Sequence, residues 1–240
     1  MSIIAEQAFS VQFGVHHLKG DVTYGPAASP ARLVILHGAG LGTRERFKPL
    51  RACLAERSIN SLAFDFIGHG ETGGSLSESS LKSRVEQACA VIETIGVTQP
   101  FTLLGSSMGA YTAVKLLEIY PIETLILFVP GIYNTAAYPI PFGEEFSKVI
   151  RQPASWVDSD AWSILSKFRG HLLLVTAGQD DVIPEDVIQR IYASATQAST
   201  RARYIVRDSP HLMIHHLSKD RQEFEKVSGL ILEQFEKNSP

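Results

Sequence analysis

Short apolar runs along this chain alternate with longer stretches in which apolar residues recur every three or four positions. The first pattern marks buried strands and the second marks helices with one apolar face. Strand-like runs fall at residues 9–13, 16–24, 33–36, 60–65, 101–104, 125–129, 171–177 and 203–206. A turn-rich piece, Gly25-Pro26-Ala27-Ala28-Ser29-Pro30, closes the second of them. Helical spacing falls at 47–57, where Leu50 and Leu54 share a face, and at 76–95, where Leu81, Val85, Ala88 and Ile92 do. It recurs from Ser107 onward, at 184–195, and at 219–237 with Phe224, Val227, Ile231 and Phe235 aligned. Buried strands alternating with amphipathic helices predict an α/β fold, with a mostly parallel central sheet of about eight strands and helices on both faces.

The alternation breaks between residues 130 and 169, a stretch with four prolines, many aromatics and only weak helical signals. It reads as a lid-like insertion over the strand ends, too short for a second domain, so residues 1–240 are expected to form one domain. With 45% hydrophobic and 20% charged residues, the chain has the composition of an ordinary globular protein. A net charge of −3 and the absence of a basic cluster give no reason to expect nucleic acid or an anionic membrane as partner. No apolar run approaches the ~18 residues of a membrane span. Met1-Ser2-Ile3-Ile4-Ala5-Glu6 lacks the basic start and apolar core of a signal peptide, so a cytoplasmic protein is expected. The two cysteines, Cys53 and Cys89, read as buried reduced thiols.

The candidate chemistry lies in Gly105-Ser106-Ser107-Met108-Gly109, which follows the apolar run at 101–104 and precedes a helical stretch. A strand that turns sharply into a helix can hold a serine hydroxyl at the tip of the turn. Glycines two residues before and after relieve crowding there. Serine becomes a nucleophile only when a base takes its proton, and the base needs a carboxylate to orient it. The loop after the run at 171–177 offers two adjacent acids, Asp180 and Asp181, and the loop after 203–206 offers His211. Their order along the chain, serine then aspartate then histidine, suits this kind of turn.

Four motifs in sequence strengthen this picture: His37-Gly38-Ala39-Gly40, Asp65-Phe66-Ile67-Gly68-His69-Gly70, the serine turn, and the downstream aspartate and histidine. Together they resemble the α/β-hydrolases of the small-lid esterase, lipase and acylglycerol-hydrolase type over nearly the full length of the chain. The resemblance implies Ser107 as nucleophile and His211 as general base. It favours Asp180, four residues before Pro184, as the acid, while Asp181 keeps the usual distance from Gly178. It implies backbone N–H groups of Ala39 and Met108 as donors to an oxyanion, with Gly38 and Gly40 letting that turn approach the substrate.

Two positions depart from the family pattern. Ser106 stands where histidine is common, and Glu71 where a small hydroxyl residue is usual. His37 and His69 are expected to orient loops. His211 and His215 stand four apart, but no third ligand accompanies them, so no metal site is expected. Within the insertion Tyr133, Phe142, Trp156 and Trp162 are candidates for an apolar substrate wall. What the resemblance implies is a hydrolase of carboxylic esters with small to medium acyl or aryl groups. Such an enzyme works through an acyl-enzyme, without cofactor, on a small-molecule ester. The same triad would serve a thioesterase, amidase, C–C hydrolase or acyltransferase, and a non-catalytic binding protein on this fold is a further alternative.

Overall fold

The computed structural model describes residues 4–26 and 29–237. Met1–Ile3, part of the segment read as lacking a signal peptide, and Ala27–Ala28 of the turn-rich piece lie outside the described residues. Eight strands form one sheet in the order β1-β2-β4-β3-β5-β6-β7-β8. They are β1 (Ala5–Phe13), β2 (His16–Tyr24), β3 (Leu33–Leu36), β4 (Ser61–Phe64), β5 (Phe101–Ser106), β6 (Ile122–Phe128), β7 (His171–Gln179) and β8 (Thr200–Pro210). β1 pairs antiparallel with β2, and β2 with β4; every later pairing is parallel.

The helices are α1 (Lys48–Ala55), α2 (Leu81–Ile95), α3 (Met108–Leu116), α4 (Glu144–Ile150), α5 (Ala161–Lys167), α6 (Glu185–Ser194), α7 (Met213–Leu217) and α8 (Arg221–Lys237). They cover both faces of the sheet, and the central strands show why. In β6, Leu125 and Leu127 belong to one apolar core while Ile126 and Phe128 belong to the other. In β7, Leu172 and Leu174 divide from Leu173 and Val175 in the same way. Successive side chains point to opposite faces, so an unbroken apolar run needs cover on both. Leu50 and Leu54 of α1 and Val227 and Ile231 of α8 cover one face. Val85 and Ala88 of α2, Ala110 and Val114 of α3, and Val187 and Ile191 of α6 cover the other.

The helical stretch expected at 76–95 is interrupted: a single 3-10 turn at Leu76–Glu78 precedes α2, and Ser80 caps α2 by accepting the Ser83 N–H at 3.0 Å. Cys53 and Cys89 are free and half-buried rather than fully buried. Among the described residues no helix is long and apolar enough to cross a membrane.

The stretch at 130–169 is more regular than its sequence suggests, since it contains α4, α5 and two 3-10 turns. It is fastened at both ends. The Phe142 N–H donates to the Ser79 carbonyl at 2.9 Å and the Lys82 N–H to the Tyr138 carbonyl at 3.0 Å. Asp160 accepts from the Tyr111 hydroxyl at 2.9 Å and from Lys115 Nζ at 2.7 Å, both on α3.

Candidate active site

Ser107 sits between β5 and α3 with φ 51° and ψ −118°. A side-chain-bearing residue rarely adopts positive φ, and here the surroundings hold it there. The Ser107 N–H donates to the Phe128 carbonyl at 2.9 Å, and its carbonyl accepts the Gly131 N–H at 3.1 Å. The flanking glycines are required by close approach. A Cβ on Gly105 would lie 2.5 Å from the Gly109 carbonyl oxygen, and one on Gly109 would overlap the carbonyl oxygen of Leu36. The turn therefore presses against the end of β3.

β7 and β8 run on past their apolar stretches until Gln179 pairs with Pro210. The residues that follow the two strands are then Asp180 and His211, which this register brings side by side. Ser107 Oγ lies 3.0 Å from His211 Nε2, and His211 Nδ1 lies 3.0 Å and 3.1 Å from the two Asp180 carboxylate oxygens. Burial pushes the Asp180 carboxyl up. The hydrogen bond to His211 and the N–H groups of Ile183 and Val182, each at 2.9 Å, outweigh this and leave it below the ordinary carboxylate value. Asp181 is exposed, and its side chain makes no hydrogen bond among the described residues. The structure thus brings Ser107, His211 and Asp180 together and leaves Asp181 outside.

Gly38 and Ala39 follow β3 and line a cavity of about 220 Å³ that opens onto Ser107. A Cβ on Gly38 would come within 3.0 Å of Ser107 Cβ, so the loop lies against Ser107. Its orientation is set from below. His37 Nδ1 is 2.7 Å from the Gly38 carbonyl oxygen, and His37 Nε2 is 3.2 Å from the Phe66 N–H. One nitrogen must donate and the other accept, which defines a neutral ring protonated on Nδ1. Burial, aided by the Arg84 charge and by His69, holds the His37 pKa well below the ordinary histidine value, in keeping with that neutral form. The Gly38–Ala39 peptide is trans, so its C=O and N–H point in opposite directions. Anchoring the carbonyl on His37 therefore turns the Ala39 N–H away from His37. Neither that N–H nor the Met108 N–H meets a protein acceptor among the described residues.

Arg84 completes this support. It is fully buried on α2, donates from Nη2 to the His37 carbonyl, and stacks its guanidinium 3.7 Å from the centre of the Phe66 ring. Burial pushes its pKa down, to about 9. Its Nε and Nη1 have no hydrogen-bond partner among the described residues. Glu71, unexplained by the family pattern, accepts from Arg44 Nη2. Arg44 also binds Asp21, at 2.7 Å, and Asp65, tying the loop after β3 to the loop after β4. Ser106 lines the cleft beside Ser107.

The remaining expected site residues lie elsewhere. None of Tyr133, Phe142, Trp156 and Trp162 lines the cavity at Ser107. Phe142 is in the core beside Phe146, with ring centres 4.9 Å apart, and Tyr133 packs edge-on against Tyr111 of α3 at 5.6 Å. Trp156 and Trp162 pack against each other at 6.0 Å, with Arg190 of α6 lying 4.5 Å from the Trp162 ring centre. The apolar wall is instead made of Leu41, Phe47, Leu212, Met213 and Ile214, accompanied by Arg46. These residues adjoin two of the motifs, and that adjacency was their only sequence signal. Among the described residues no three His, Cys, Asp or Glu side chains converge as metal ligands, and His215 lines the cleft mouth.

A family model described as "Alpha/beta hydrolase family" matches residues 33–232. The chain belongs to the alpha/beta hydrolase family. Solved members of the fold include the esterase Pf2001 of Pyrococcus furiosus, which superposes with a TM-score of 0.70 at 18% identity over 98% of this chain and 93% of that one. The thioesterase domain from the curacin biosynthetic pathway superposes with a TM-score of 0.68 at 20% identity, over 95% and 99% of the two chains. The 2-hydroxy-6-oxo-6-phenylhexa-2,4-dienoate hydrolase of Rhodococcus sp. strain RHA1 gives 0.70 at 17% identity, over 98% and 100%. At such identities the likeness establishes the shared alpha/beta hydrolase fold and nothing finer. A search among curated proteins finds no sequence match.

Proposed function

We infer that this alpha/beta hydrolase cleaves carboxylic esters of small to medium acyl or aryl groups by way of an acyl-enzyme. The observation that carries the reading is the unbroken contact from Ser107 Oγ to His211 Nε2, 3.0 Å, and from His211 Nδ1 to Asp180, 3.0 Å. His211 takes the Ser107 proton as Oγ bonds to the ester carbonyl carbon, and Asp180 holds the imidazole in the tautomer that can do so. The negative oxygen formed in that step is met by the N–H groups of Ala39 and Met108. His211 then returns the proton to the departing alcohol, and the carbonyl re-forms as the acyl-enzyme. A water molecule enters by the same route: His211 accepts its proton, the hydroxyl adds to the acyl carbon, and Ser107 leaves reprotonated with release of the carboxylic acid. This chemistry calls for no cofactor. The apolar cavity of about 220 Å³ suits a compact acyl or aryl group better than a long chain.

Hydrolysis of p-nitrophenyl esters from acetate to laurate, wild type beside Ser107→Ala, tests this reading. Turnover by the wild type, lowered in the variant by roughly 10⁴-fold or more, is expected. If the wild type turns over none of the series and a fluorophosphonate probe leaves Ser107 unlabelled, the hydrolase reading fails. A binding role on this fold would then take its place.

A further inference from the structure

The cleft at Ser107 is lined by apolar side chains, by the uncharged Thr43, Ser106 and Ser107, and by His37, His211 and His215. One arginine joins them, Arg46, and no aspartate or glutamate does. The chain as a whole carries a net charge of −3, and the carboxylate nearest the cleft lining, Asp180, lies behind His211 and is bound to it at 3.0 Å.

Arg46 is half-buried, yet its guanidinium makes no hydrogen bond or ion pair among the described residues. Two acids of the neighbouring loops are already engaged. Glu45 is held by Lys48 at 3.0 Å, and Glu71 by Arg44. Arg44, two residues away, is bound by Asp21, Asp65 and Glu71. One arginine of this loop is therefore matched inside the protein, and the next lines both the Ser107 cavity and the adjoining groove beside Leu50 and Phe224 with no counter-charge bound to it. An unmatched guanidinium in a partly dry cleft binds an incoming anion more strongly than a solvent-exposed one does.

Building on the reading of Ser107 as nucleophile, we propose that Arg46 is an anion-recognition residue and that the substrate is an ester bearing a carboxylate beside an apolar acyl or aryl part. A single guanidinium fork matches the two oxygens of a carboxylate. No second Lys or Arg lines the cavity to share a doubly charged group such as a phosphate. The apolar part of the substrate is received by Phe47, Leu212, Met213 and Ile214.

Binding to Ser107→Ala, followed by titration calorimetry, reads this site without turnover. Monoethyl adipate carries its carboxylate on the acyl side, and 4-carboxyphenyl butyrate on the alcohol side. Ethyl hexanoate and phenyl butyrate are their uncharged matches. In at least one pair the carboxylated ester is expected to bind about tenfold tighter or more. That preference should shrink with added salt, vanish in Ser107→Ala/Arg46→Gln, and persist in weakened form in Ser107→Ala/Arg46→Lys. Equal binding within both pairs, or a preference that survives Arg46→Gln, overturns the proposal. Wild-type turnover of the same esters separates it from the hydrolase reading. Turnover without Arg46-dependent charge preference defeats the anion site alone, whereas charge-selective binding without turnover defeats the hydrolase reading alone.

Discussion

Two segments leave the sheet near Ser107 and put their residues to opposite use. The loop after β3, residues 37–47, is glycine-rich and contributes one aromatic, Phe47, yet its backbone forms a wall of the cleft. The segment after β6, residues 130–169, carries Tyr133, Tyr138, Phe142, Phe146, Trp156 and Trp162, and these turn toward the core, toward α3 and α6, or toward one another. Large rings bury the most area when they pack against other side chains, so an aromatic-rich segment tends to be consumed in fastening itself down. On the proposed reading this loop offers N–H groups to a substrate, which calls for small residues above and a rigid support below. His37 and Arg84 provide that support.

If the segments divide in this way, damage beneath the first should appear in turnover and damage in the second in stability. Among changes in these two segments, the largest effect on turnover is expected from His37→Ala, which frees the Gly38 carbonyl and with it the aim of the Ala39 N–H. Loss of an aligned oxyanion donor raises the barrier by about 3 kcal/mol, so kcat for p-nitrophenyl butyrate should fall roughly 10²-fold with KM little changed. A fall in KM-limited binding alone would show that His37 acts on the cleft's shape instead. Phe142→Ala should do the reverse. Truncating a buried phenylalanine costs about 3 kcal/mol in urea unfolding, with kcat/KM of the folded protein expected within about threefold of wild type. A large loss of kcat at unchanged stability would place the insertion in the site after all.

Arg84→Met sharpens the contrast because it should separate the two readouts within one residue. The guanidinium is buried, with two nitrogens unbonded among the described residues, and an apolar side chain of similar length removes that burden. Stability is expected within about 1 kcal/mol of wild type, or higher. The same change releases the His37 carbonyl, so kcat should fall by about tenfold, a smaller loss than for His37→Ala because the direct bond to Gly38 remains. A strongly destabilised variant with intact kcat would mean that Arg84 holds the core and leaves the loop alone.

The sheet was legible because its strands are buried on both faces and its helices carry clear apolar stripes. Ser107 stood out because the serine turn needs small residues on either side, His211 because it follows in the expected chain order, and the two side chains lie 3.0 Å apart. Strand lengths were less so. Gln179 and the residues from Arg207 to Pro210 are polar or turn-like, which hides the pairing that extends β7 and β8 to the brink of Asp180 and His211. The four-residue spacing to Pro184 favoured Asp180 over Asp181, and that pairing is what carries Asp180 to His211 Nδ1. The aromatics of the insertion advertise apolar surface but not its direction, since residues in short helices and turns have no sheet register to fix their face. Arg84 did leave a signal, a charged residue on the same helical face as Ala88 and Val91, where an apolar side chain belongs.

The smallest expected effect concerns Asp180 itself and is read in acid. Its folded carboxyl is held below the ordinary value by the bonds from His211, Ile183 and Val182, which outweigh the opposing effect of burial. A carboxyl whose folded pKa is depressed contributes stability that is present above its unfolded pKa and is lost as pH falls through the folded value. Urea unfolding of wild type, Asp180→Asn and Asp181→Asn across about pH 2 to 6 should therefore show the gap between wild type and Asp180→Asn closing toward the acid end. Asp181→Asn serves as the neighbouring control, since that exposed side chain makes no hydrogen bond among the described residues. Should Asp180→Asn instead track wild type throughout, its three hydrogen-bond donors do not favour the ionised form, and the His211 tautomer needed at Ser107 must be fixed by something other than charge.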